Sequence, residues 1–94
     1  MQVECAFFGP FRDVVGEKTV HHETDVETVG GLLDELETAY PDLAGRLLDP
    51  DEGSSVSSRT VVTVDGTNVA HLEGVDTELD AGTVVRLAHA VYGG

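Results

Sequence analysis

One stretch dictates most of what this chain can become. Residues 28–40, TVGGLLDELETAY, carry Val29, Leu32, Leu33, Leu36 and Tyr40 at i, i+3, i+4, i+7 and i+11. That spacing draws a single apolar stripe down one side of a helix, with Asp34, Glu35 and Glu37 on the other. Thr28 is a fitting N-cap. Pro41 stops the helix, because the residue before a proline is pushed out of the α region. Gly30 and Gly31 weaken its first turns by roughly 1 kcal/mol each relative to alanine. Lacking side chains, they are read as letting the helix sit close to a sheet. A lone striped helix must bury that stripe against another layer.

The flanking sequence supplies the layer. In residues 2–8, Val3, Cys5 and Phe7 alternate with Gln2 and Glu4, the period of a strand. Gly9-Pro10 breaks it. Phe11 to Val15 makes a helical turn closed by Gly16. Residues 18–24 return as a second strand, forming a hairpin with a wide connection. Beyond the helix, Asp42 to Leu48 offers a short apolar turn, and the polar, breaker-rich 49–58 reads as a mobile loop. Arg59 to Val64 is a strand ending in the tight-turn pair Asp65-Gly66. Thr67 to Leu72 returns as a short strand, Glu73 to Gly82 is a turn-rich connection, and Thr83 to Ala88 is the last strand. Residues 89–94 follow as a flexible C-terminal tail. The order predicts one α+β domain over 1–94: a β-grasp (ubiquitin-like) fold, with a mixed four- to five-stranded sheet and one main helix packed on one face.

Charge narrows the function. With 18 Asp and Glu against 5 Lys and Arg, the formal net charge of the 94 residues is −13. Such a chain is repelled by phosphate backbones and anionic lipid, so neither direct nucleic-acid binding nor membrane binding is expected. No apolar run approaches the ~18 residues of a membrane span. No basic segment followed by an apolar stretch marks a signal peptide, and a cytoplasmic location is expected. The acidic residues spread along the whole chain, and Lys18 is the only lysine. Two readings fit that pattern: a protein kept soluble in concentrated salt, where a screening length of ~3 Å removes most of the self-repulsion, or an ordinary acidic protein from a mesophile.

Side chains that could do chemistry are few. Cys5 is the only cysteine, which excludes an intrachain disulfide and four-cysteine metal sites. It shares the alternating face of Val3 and Phe7, so it reads as a core thiol. Ser54, Ser55, Ser57 and Ser58 lie in a polar loop with no nucleophile elbow. His21 and His22 are adjacent in a strand and point to opposite faces, and His71 and His89 are remote in sequence, so no metal site is expected. Gly30-Gly31 lacks the spacing of a phosphate-binding loop. No catalytic residue emerges. What remains is the end of the chain, Gly93-Gly94, directly after the final strand. Glycine carries no Cβ, so the pair is narrow enough to thread a tight channel and present its carboxylate to another protein.

Several segments, in order, resemble the ubiquitin-like sulfur carriers of the MoaD/ThiS type, above all the small archaeal ubiquitin-like modifier proteins. They are Phe7-Phe8, Phe11-Arg12-Asp13-Val14-Val15-Gly16, Thr28-Val29-Gly30 with Leu32-Leu33, Leu79 to Val85, and the closing Gly93-Gly94. The resemblance implies a carrier or modifier rather than an enzyme, with no permanently bound cofactor. An E1-like adenylating enzyme, using ATP, would activate the Gly94 carboxylate. The acyl-adenylate would become a thiocarboxylate for molybdopterin synthesis or tRNA thiolation, or be joined to lysines of target proteins. The implied partners are that E1, then a molybdopterin synthase large subunit, this chain being the small one, or a tRNA-thiolation enzyme. The alternative is a non-conjugating β-grasp interaction module with an incidental Gly-Gly. Phe8 and Tyr92 are candidate partner-binding residues. Phe8 also fits a second small core under the Phe11 turn. Lys18 is a candidate acceptor for self-conjugation, or simply a solvated lysine.

Overall fold

The computed structural model describes residues 1–49, 51 and 55–90. Its main helix, α2, spans Val29–Ala39, starting where the stripe starts and ending one residue before its last member, Tyr40. Both ends have the expected chemical cause. The Thr28 hydroxyl oxygen accepts from the Gly31 N–H at 3.3 Å, and Tyr40 ahead of Pro41 leaves the helical region at φ −124°, ψ 87°. Val29, Leu32, Leu33 and Leu36 are completely buried. The Tyr40 ring meets Phe7 edge-on with centroids 6.3 Å apart, an arrangement the ring quadrupoles favour.

The stripe lies on a five-stranded sheet. Its strands are β1 (Gln2–Phe7), β2 (Thr19–Glu23), β3 (Thr60–Val64), β4 (Thr67–Asn68) and β5 (Val84–His89), in the order β2-β1-β5-β3-β4. β1 and β2 form the expected antiparallel hairpin, with Cys5 opposite Val20. Its connection holds a short helix, α1 (Pro10–Val15), closed by Gly16 at φ 85°. β5 runs parallel to β1 and antiparallel to β3. This is the β-grasp architecture. Val3, Cys5, Phe7, Val62, Val85 and Leu87 form the sheet side of the core, joined by Phe11, Leu43 and Leu47. Phe11 therefore belongs to the main core and does not seed a second one.

Asp65 and Gly66 have φ of 49° and 90°, the paired left-handed conformations a tight hairpin turn between right-twisted strands requires. The strand expected over Thr67 to Leu72 stops at Asn68. There the Asn68 side-chain oxygen accepts from the Ala70 N–H at 2.9 Å and starts a 3₁₀ turn, Val69–His71. Local side-chain bonding of this kind competes with ladder formation. The base of the 49–58 loop is drawn together: Asp49 N–H donates to Ser55 O and Ser57 N–H to Leu47 O, both at 2.9 Å. Glu37 accepts from the Leu47 and Leu48 N–H groups at 3.1 and 2.9 Å, tying this stretch to α2.

The reading of Gly30-Gly31 needs correction. They face connecting segments and not the sheet. A Cβ on Gly30 would lie 3.0 Å from Val75 Cβ and 3.1 Å from its carbonyl oxygen, and one on Gly31 would lie 2.9 Å from Val26 Cβ. The two glycines let the 3₁₀ turn Gly74–Asp76 and the lead-in at Val26 close against the first turn of α2. A second correction concerns the tail expected from His89. His89 still belongs to β5, paired with Thr60, because β3 continues alongside it.

Candidate functional site

The last strand lies at the centre of the sheet and carries the chain to its final described residues. β5 pairs with β1 over Val84–Leu87 and with β3 over Val85–His89, and its Val85 and Leu87 are fully buried. The Phe8 N–H donates to Leu87 O at 3.0 Å, and the Ala90 N–H donates to Arg59 O at 2.7 Å. The backbone is thus held by hydrogen bonds through Ala90. Tyr92, Gly93 and Gly94 lie outside the described residues.

The sheet face away from α2 is the second feature. By the register, Ala6, Thr63 and Ala88 lie around Arg86 on this face. Arg86 is exposed, while Val61, Val84 and Ala88 are half-buried. Phe8, also half-buried, sits just past the end of β1 and is not part of the main core cluster. The edge is polar: His21 Nε2 lies 3.4 Å from Glu4 Oε1. His22 points to the helix side, with Nε2 2.9 Å from Glu35 Oε1. The two neighbours do face opposite ways.

Groups that could act alone are held out of play. Cys5 is fully buried. Burial first, and the nearby Glu4 charge second, push its thiol up to about 12, so it carries almost no thiolate at neutral pH. Among the described residues, no three His, Cys, Asp or Glu side chains come together as metal ligands. Lys18 is exposed just ahead of β2, its carbonyl accepting the Phe7 N–H at 2.7 Å. Sequence reasoning missed one grouping: Arg46, Arg59 and His89 line a common cavity of about 300 Å³ beside the end of β5. Their separations in sequence carried no signal of it.

The model of the ThiS family matches residues 5–94. The chain belongs to the ThiS family. It is 41% identical, over 95 residues and the full length of both chains, to small archaeal modifier protein 3 of Haloferax volcanii. The solution structure of the Haloferax volcanii HVO 2177 protein superposes with a TM-score of 0.86 at 41% identity, covering 100% of this chain and 87% of that one. The crystal structure of SAMP1 from Haloferax volcanii gives 0.81 at 27% identity, with 100% of each chain covered. The family match runs through residue 94 and so includes Gly93-Gly94.

Proposed function

We propose that this protein is a ubiquitin-like modifier and sulfur carrier whose reactive group is the Gly94 carboxylate. The observation that carries the reading is that a family match through Gly94 coincides with a last strand anchored at the centre of the sheet. A free carboxylate is a poor acyl donor. An E1-like enzyme would let the Gly94 oxygen attack the α-phosphorus of ATP, releasing pyrophosphate and leaving an acyl-adenylate. A hydrosulfide-class nucleophile then displaces AMP to leave a thiocarboxylate. Alternatively a lysine amine displaces AMP, loses a proton and leaves an isopeptide bond. Both fates are nucleophilic acyl transfer. The relative at 41% identity is named a modifier protein, which favours the isopeptide fate. The thiocarboxylate would go to a molybdopterin synthase large subunit or a tRNA-thiolation enzyme.

The E1-like partner would dock on the open face around Phe8, Val61 and Arg86 and would also contact Tyr92. Lys18 would be the side-chain acceptor in any self-linked product. The test is ATP–pyrophosphate exchange with the E1-like enzyme, beside a thermal melt. Deleting Gly93 and Gly94 should abolish exchange and leave the melting temperature nearly unchanged. With the intact chain and a sulfur source, mass spectrometry should show a gain of about 16 Da as oxygen is replaced by sulfur. Full exchange in the deleted variant would leave a non-conjugating interaction module standing.

A further inference from the structure

The geometry points to an oxyanion site at the root of the last strand, in the cavity lined by Arg46, Arg59 and His89. The case begins with scarcity. The chain has 4 Arg and 1 Lys against 18 carboxylates, yet two of those arginines and a histidine open onto one cavity of about 300 Å³. The ion pairs among the described residues are Met1–Glu23, His21–Glu4 and His22–Glu35, and none involves Arg46 or Arg59. Among the described residues neither guanidinium group makes an ion pair, a state they share with Arg12 and Arg86, and what sets these two apart is the cavity they share with His89.

The backbone beneath them is preorganised. The Thr60 hydroxyl donates to Arg46 O, and the Arg46 N–H donates to Leu43 O at 2.9 Å. The Thr60 N–H donates to Ser57 O at 3.0 Å, and Arg59 O accepts the Ala90 N–H at 2.7 Å. These bonds fix the backbone at both arginines against β3, the end of β5 and the turn after α2. One wall is apolar: the Phe11 ring lies 6.3 Å from the His89 ring. Two guanidinium forks match the paired oxygens of a phosphate or a carboxylate. The volume is at the lower end for ligand sites. It suits a hydrated inorganic anion or one acidic side chain of a docked protein. This inference stands independently of the activation chemistry at Gly94.

The experiment is an amide-shift titration of the intact protein with sodium phosphate, and separately with sodium acetate, at constant ionic strength. Saturable shifts are expected at Ser57, Arg59, Thr60 and His89. Arg46→Gln and Arg59→Gln should each weaken binding about tenfold, the equivalent of ~1.4 kcal/mol. Arg12→Gln makes the same change in net charge outside the cavity lining and should leave binding unaltered. Thermal melts confirm that each variant folds. Saturation by phosphate alone assigns the site to a phosphate-class anion, and saturation by acetate assigns it to the carboxylate of a protein partner. Linear shifts scattered over the surface with both salts would overturn the site. So would equal weakening by Arg12→Gln.

Discussion

His22 Nε2 lies 2.9 Å from Glu35 Oε1, and this contact clips the edge strand β2 to the helix α2. The same carboxylate oxygen accepts from the Thr24 hydroxyl at 2.6 Å. Thr24 in turn takes the Val26 N–H at 3.0 Å and so shapes the approach to the helix. One glutamate therefore organises the edge strand, the connection and the helix together.

This arrangement sets a pH dependence. The Thr24 hydroxyl, then the His22 ring, hold the Glu35 carboxyl below the usual carboxylate range. A group whose folded-state pKa is depressed stabilises the fold above its unfolded value and loses that contribution as pH falls through the folded value. Glu35 is 37% exposed, so solvent screens the interaction and the contribution is modest. Glu35→Gln should melt below the parent protein at neutral pH. The gap should close as pH falls below about 4, where the unfolded carboxylate is protonated. A gap independent of pH would mean the charge is irrelevant.

The first turn of α2 should reject side chains that helix propensity alone would welcome. Alanine in place of an interior glycine usually gains ~1 kcal/mol. At Gly31 the new Cβ would lie 2.9 Å from Val26 Cβ, and at Gly30 it would press on the Val75 carbonyl at 3.1 Å. Overpacking of this kind costs about 1–3 kcal/mol. Gly31→Ala should therefore lower stability in chemical denaturation, with Gly30→Ala near neutral to destabilising. A stabilised Gly31→Ala would show that the Val26 segment yields freely.

Cys5 should report on unfolding. With its thiol pushed up to about 12 and its side chain fully buried, it should not react with a thiol reagent in the native state. The reaction rate should rise with denaturant in step with loss of structure. Its raised pKa also leaves stability intact below the unfolded value of 9.0 and erodes it as pH rises from there toward the folded value. Rapid labelling under native conditions would contradict the burial.

Salt should strengthen the fold. At a net charge of −13, self-repulsion opposes compaction, and the screening length falls from ~30 Å at 0.01 M to ~3 Å at 1 M salt. Melting temperature should climb through a potassium chloride series over that range. A flat series would show that the acidic coat is neutral for stability.

What the sequence by itself determined was local. The 29/32/33/36/40 stripe, the Thr28 cap, the Pro41 stop, the Asp65-Gly66 turn and the alternation of Val3, Cys5 and Phe7 each depend on neighbours within a few residues. Each appears in the structure where the pattern places it. The Gly93-Gly94 end was equally legible as a motif. What only the tertiary structure decided was the company each element keeps. Periodicity could not say that β5 lies between β1 and β3, or that Gly30 and Gly31 meet Val75 and Val26 rather than the sheet. Nor could it bring Arg46, Arg59 and His89 to one cavity. Those outcomes rest on strand pairing and loop closure across tens of residues, where the competing registers differ in packing and in chain entropy and not in local spacing.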